Sequence, residues 1–338
     1  MPRAALARLA HLARCLRGDV PEPGETTHSV CCPEAALCPA SAARLEQLRT
    51  DGVVVVPDVF SPELLARIRG QYEAAWAQLE PALPSLAWKR RRYRNRDTKQ
   101  MFFVLNELYE DKPVALLEDG SEVIDMGLGR YDFAVGLDDG LLASPELLNA
   151  PALDDWLRSS LRNEYDGYAG GLPSLGGNAS GGKGGLWHRD GDNLFDVEGI
   201  DLMLPSYTFT ALIALKDVEP IDGPTDFILG SHRDHLVSLG ADTVEKVEAW
   251  AKQPEQLSRR LQASMKAGSV TLFNGTVLHR GGVNMRREPR DMLYIVYKSS
   301  WWNDDYNSGC EFKDIHQQVR FGAPATQQSR RVPRLGVY

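Results

Sequence analysis

The chain is poor in cysteine, and the five it has are badly placed for cross-linking. Cys15, Cys31, Cys32 and Cys38 precede the stretch that reads as folded, Cys310 lies near the end, and no CxxC pair occurs. That pattern disfavours a disulfide framework and points to a reducing compartment. His28, Cys31, Cys32 and Cys38 lack the regular spacing of a zinc site, so they read as part of a tail. No uninterrupted apolar run reaches the ~18 residues of a bilayer crossing, so no membrane span is expected. Positive charge is not in excess: 38 Lys and Arg stand against 46 Asp and Glu, a net charge of −8. That balance argues against nucleic acid as a partner.

Acids are missing from the first eighteen residues, where Arg3, Arg8, Arg14 and Arg17 alternate with Ala and Leu. The composition fits an organelle transit peptide or a frayed basic tail, and is too broken by arginine for a secretory signal. The expected location is the cytoplasm, or an organelle if this segment is a targeting sequence. With 338 residues and 43% hydrophobic content there is ample material for a core. The expected organisation is a disordered or targeting tail over 1–42 and a single domain over 43–338.

Within that domain, Ala43 to Thr50 reads as a short helix, Asp51-Gly52 as a turn, and Val53 to Val56 as a buried strand. Ser61-Pro62-Glu63 has the form of an N-cap, a proline at N1 and an acidic first turn, predicting a helix to about Leu79. Ser144 to Arg162 reads as one helix or two, broken near Pro151. From about Leu186 the pattern changes to short strands, at 186–189, 207–218, 225–229, 269–274, 277–281 and 291–298, with one helix over 242–263. Many short strands with Gly/Pro turns indicate a mainly β sandwich or barrel with flanking helices.

Two motifs mislead. Gly177-Asn-Ala-Ser-Gly-Gly-Lys183-Gly184 nearly matches a phosphate-binding loop, but Gly184 stands where a hydroxyl is needed and a strand follows instead of a helix. It reads as a loop bordering a site. His-Arg-Asp occurs twice, at 188–190 and 232–234, yet neither copy continues as a kinase catalytic loop and the other kinase motifs are missing.

As a metal motif, His and Asp at i and i+2 on a strand share a face and reach one ion. The duplication shows how weak the tripeptide is alone. His188 and Asp190 open the strand-rich half, whereas His232 sits in a Gly-Ser-His turn, so the first copy is preferred. Of the histidines outside the two copies, His279 stands out. It follows a turn and an apolar run and precedes Gly281-Gly282, which keep side chains off the space beside it. Two His and one carboxylate are the facial triad of non-haem iron(II) oxygenases. Arg290 lies eleven residues after His279 (290 − 279 = 11), beyond the turn 284–289. Strands 277–281 and 291–298 then read as an antiparallel hairpin. A guanidinium there is able to grip a carboxylate, or to be an ordinary surface arginine.

Together these features resemble the phytanoyl-CoA dioxygenase family of iron(II)/2-oxoglutarate oxygenases. The resemblance begins at Asp51-Gly-Val-Val-Val-Val-Pro-Asp-Val-Phe-Ser-Pro-Glu-Leu-Leu65 and continues through Trp187-His-Arg-Asp190. It then takes in Leu215-Lys-Asp-Val, Gly223-Pro224 and Leu229-Gly-Ser-His-Arg233, and closes with His279, Asn284 and Arg290. It implies a double-stranded β-helix (a jelly-roll, cupin-like core) with iron on His188, Asp190 and His279. It also implies that Arg290 holds the distal carboxylate of 2-oxoglutarate, that ascorbate is an accessory reductant, and that His232 is structural. Two departures stand out. Some members carry a hydroxyl where Gly281 stands, and some a Trp where Leu212 falls; Thr210, on the same face as Leu212, is a substitute hydroxyl partner for the cosubstrate.

The implied activity is oxidation of a small-molecule C–H bond with release of succinate and carbon dioxide. The alternatives are a metal-dependent hydrolase or isomerase, or a non-catalytic binding protein, on the same scaffold. The basic run 89–96 reads either as a contact for an acidic or CoA-linked substrate or as a solvated loop. Trp301-Trp302 reads either as a substrate wall or as packing.

Overall fold

The computed structural model describes residues 39–90, 113–117, 122–134, 144–161, 165–177, 179, 181–191, 193–195, 197–299, 302 and 319–321. The chain divides into two units, 1–43 and 44–338; the architecture below is that of the second. Helix α1 (Pro39–Asp51) starts four residues before the expected Ala43. It ends at Gly52, whose φ of 78° suits glycine, and where a Cβ would also collide with the His232 ring. Strand β1 (Val53–Val56) follows, then helix α2 (Pro62–Leu79). Ser61 caps α2 as its sequence predicts, accepting the Leu64 N–H at 3.2 Å. The buried positions Leu65, Ile68, Tyr72, Trp76 and Leu79 recur every three or four residues and form one face.

The strands that follow are β2 (Lys89–Arg90), β3 (Pro113–Leu116), β4 (Glu122–Gly127), β5 (Arg130–Ala134), β6 (Tyr165–Gly171), β7 (Thr208–Ala214), β8 (Asp226–Ile228), β9 (Arg260–Gln262), β10 (Val270–Asn274), β11 (His279–Arg280), β12 (Met292–Ser299) and β13 (Val319–Phe321). Two sheets result. The larger runs β1-β10-β7-β12-β6-β5-β4-β3-β2, with β13 also on β6; the smaller runs β11-β8-β9. Every strand pairing among the described residues is antiparallel. This is the double-stranded β-helix, with the core between the sheets: Val53, Leu212, Phe227, Phe273, Val277 and Tyr294 meet there.

The outer face of the small sheet packs on helix α4 (Val244–Ala251) through Trp187, Ile228, Val247, Trp250 and Leu278. The large sheet is covered outside by α2, where Tyr72 and Trp76 lie 5.5 and 5.6 Å from Phe133, and near β12 by helix α3 (Pro151–Leu161). Every residue of β7 and β12 is buried, as befits central strands covered on both faces.

Three expectations need correction. The helix over 242–263 is α4, a short turn of helix at Pro254–Leu257, and strand β9. Pro254 cannot donate to a continuing helix, so it begins a new one. Strands 277–281 and 291–298 are not a hairpin: β11 pairs with β8, while β12 pairs with β6 and β7 in the other sheet. Residues 186–189 form no strand, only a single bridge from His188 to His279.

Candidate metal and cosubstrate site

That bridge is the foundation of the site. His188 and His279 exchange both backbone hydrogen bonds at 2.9 Å, so their side chains project to the same side. The ring centroids are 4.4 Å apart. Asp190, two residues on, converges on the same point. Its Oδ1 lies 3.8 Å from His188 Nε2 and 3.5 Å from His279 Nε2. The three ligand atoms all fall within 4.8 Å of one another, and no other such group converges among the described residues.

The neighbours prepare these atoms for a cation. His188 Nδ1 lies 2.8 Å from the Leu186 carbonyl, and His279 Nδ1 lies 3.1 Å from that of Val277. A carbonyl only accepts, so each Nδ1 keeps its proton and each Nε2 turns its lone pair inward. Thr210 Oγ1 donates to Asp190 Oδ2 at 3.0 Å, leaving Oδ1 toward the histidines. Burial, then the neighbouring His279, pushes His188 down to about 4, so it is neutral near pH 7. Burial opposes charge on both His279 and Asp190. Their mutual attraction outweighs it, raising the imidazole and lowering the carboxyl. Two neutral-capable imidazoles and one carboxylate, with no fourth donor among the described residues, suit iron(II) in an open site.

Beside the triad lies a cationic wall. Ser174 makes antiparallel bridges to Arg130 on one side and Arg290 on the other, so the two arginines project to the same face. Asn284, read from the sequence only as part of a motif, holds this junction by donating from Nδ2 to the carbonyls of Ser174 (3.0 Å) and Glu288 (2.9 Å). The Arg290 guanidinium donates through Nη1 to the Gly223 carbonyl. Its Nε is buried without a partner, and it makes no ion pair among the described residues. Burial, followed by repulsion from Arg130, brings it down to about 10. A guanidinium in that condition is relieved by an anion.

Arg130 escaped the sequence reading. It stands 58 residues before His188 (188 − 130 = 58), in a strand that carries no motif. A Cβ at either Gly185 or Gly281 would overlap its guanidinium. The space beside Gly281 is therefore filled by Arg130, where the sequence alone suggested an opening. The remaining expectations resolve as follows. Leu212 is buried in the interior cluster. His232 turns away from the metal atoms, its Nε2 3.0 Å from the Arg49 carbonyl and its ring against Gly52. In the glycine-rich stretch, a Cβ at Gly177, Gly181 or Gly182 would meet open space, and residues 178 and 180 lie outside the described residues. Trp302 packs 5.0 Å from Tyr207 and beside Leu194. Trp301 and residues 91–96 lie outside the described residues.

The fold is a double-stranded β-helix, and it brings His188, Asp190 and His279 together as a two-histidine, one-carboxylate group able to hold a metal ion. Residues 174–292, which carry the whole triad and Arg290, match the family model described as Phytanoyl-CoA dioxygenase (PhyH). An ectoine dioxygenase of Stutzerimonas stutzeri (strain A1501) is 23% identical over 280 residues, covering 77% of each chain. An ectoine dioxygenase of Nocardia farcinica (strain IFM 10152) is 27% identical over 132 residues, 35% of this chain and 43% of that one. A crystal structure of EctD from S. alaskensis with bound Fe superposes with a TM-score of 0.49 at 20% identity, over 76% of each chain.

Proposed function

We propose that His188, Asp190 and His279 hold one iron(II), and that Arg290, with Arg130 beside it, receives the distal carboxylate of 2-oxoglutarate. The observation that carries this reading is an open set of three convergent ligands next to a half-buried guanidinium whose Nε has no partner and which makes no ion pair among the described residues. When bound, the metal and 2-oxoglutarate supply the oxidising chemistry: 2-oxoglutarate, dioxygen and R–H give succinate, carbon dioxide and R–OH. The protein positions and shields. Thr210 fixes the Asp190 carboxylate, the Leu186 and Val277 carbonyls fix the imidazole tautomers, and the two arginines orient the dicarboxylate. Phe227 and Phe273, with ring centroids 5.7 and 4.7 Å from that of His279, help keep water from the metal's inner side.

Residues 43–338 form the single catalytic domain in this proposal, and the substrate is a small molecule. An acidic or CoA-linked substrate remains attached to the basic run 89–96, and a cytoplasmic or organellar location to the basic N-terminus; no described helix is long and apolar enough to cross a membrane. The test is a screen of metabolite pools for substrate-stimulated release of succinate from 2-oxoglutarate with iron(II) present. Stimulated release by the unaltered protein and none by Asp190→Ala is the expected result. Turnover of a substrate without 2-oxoglutarate would instead establish a metal-dependent hydrolase or isomerase.

A further inference from the structure

The two His-Arg-Asp tripeptides are physically joined. Arg189, between the first two metal ligands, points to the opposite face from them and is 4% exposed. Its Nη2 donates to the carbonyls of Ser231 and, at 2.7 Å, Asp234, both in the turn that contains the second tripeptide. Ser231 is fully buried, and its Oγ accepts the backbone N–H of Leu278 at 2.7 Å. Leu278 directly precedes His279. One turn thus holds a group on each of the two segments that carry the triad.

The turn is itself well anchored. Gly230, at φ 73°, donates its N–H to the Asp51 carbonyl at 2.7 Å. Arg259 bonds both the Leu229 carbonyl and Asp234 Oδ2, each at 2.7 Å. The triad needs such support. The two segments are joined by the His188–His279 bridge and by two flanking bonds, from the Gly185 N–H to the Gly281 carbonyl and from the Gly191 N–H to the Gly275 carbonyl (each 2.8 Å), but by no continuous ladder, and β11 has two residues. Metal affinity depends on ligand distances held to about ±0.2 Å.

We propose that Arg189 and Ser231 are positioning residues: acting from outside the small sheet, they hold His188, Asp190 and His279 at metal-binding separation, so the second tripeptide is the scaffold of the first. The proposal rests on the triad being a metal site. Its test needs no substrate. Cobalt(II) serves as an air-stable probe for Ser231→Ala, Arg189→Met and Arg189→Lys. The expected result is a Kd for cobalt(II) raised about tenfold or more in the first two, with partial recovery in Arg189→Lys. The visible spectrum of bound cobalt should shift, and the rise in Tm on saturating with cobalt(II) should shrink.

A merely structural role would lower the metal-free and metal-loaded Tm equally and leave Kd and spectrum unchanged. That outcome overturns the proposal. If Arg189→Met does not fold, Ser231→Ala decides alone, because it keeps the carbonyl that Arg189 grips. Failure of the unaltered protein to bind cobalt(II) would overturn the metal site itself, and the scaffold with it.

Discussion

Replacing Arg290 with Met separates its binding role from any structural one. In the ligand-free protein Arg290 has one carbonyl partner, a buried Nε without a partner, and a second guanidinium nearby. Removing that charge should leave the Tm of the ligand-free protein little changed, since burial and Arg130 oppose the cation and Asp222 and Asp291 only partly offset them. Binding should suffer. Deleting one partner of a buried charge pair costs about 2–5 kcal/mol. Because Arg130 remains, the lower part of that range applies, about 2–3 kcal/mol. At about 1.4 kcal/mol per tenfold, the Kd for 2-oxoglutarate rises roughly 30- to 150-fold. Titration calorimetry of 2-oxoglutarate into manganese-loaded protein under anaerobic conditions reads this directly. Arg290→Lys should fall between, since it keeps the charge and loses the planar fork. A Kd within about threefold of the unaltered protein, or a large fall in ligand-free Tm with unchanged Kd, would refute the reasoning.

Gly281→Ser places a hydroxyl where some family members carry one. Here its Cβ meets the Arg130 guanidinium, so the change should weaken 2-oxoglutarate binding about tenfold instead of strengthening it, by the same calorimetry. Asp190→Ala should abolish stoichiometric metal uptake, measured by elemental analysis after desalting, and succinate release with it. Thr210→Val removes the hydrogen bond to Asp190 Oδ2 and should reduce cobalt(II) affinity about tenfold, whereas Thr210→Ser should retain it. On acidification His279, raised by Asp190, takes up a proton before His188, which stays neutral to about 4. Metal and proton compete for the same Nε2, so cobalt(II) affinity should fall as pH drops through the His279 titration, with protons released on binding. A profile that stays flat until pH approaches the His188 value of about 4 would contradict that order.

Local signals were legible where short-range chemistry decides the outcome. Ser61-Pro62-Glu63 specified the start of α2 because a cap, a proline and a dipole-compatible acid act within one turn. Val53 to Val56 and the apolar runs of β7, β10 and β12 were found because burial on both faces leaves a continuous hydrophobic record. The break of the helix at 242–263 is also written in the sequence, in Pro254, which cannot donate to a continuing helix.

What the sequence by itself determined was the inventory of the site: two histidines and a carboxylate, a distal arginine, and a repeated tripeptide of which one copy lies in a turn. Residue type and local spacing record those facts, because side-chain chemistry is intrinsic and i, i+2 facing follows from backbone geometry. Tertiary structure alone decided the partners. It set His188 against His279 across 91 residues (279 − 188 = 91) and sent β11 and β12 to different sheets. It also brought Arg130 into the slot beside Gly281 and placed the Ser231 turn behind both metal-bearing segments. These contacts are set by which sheet edge each short strand finds. The packing of the whole core decides that, and no short stretch of sequence encodes it.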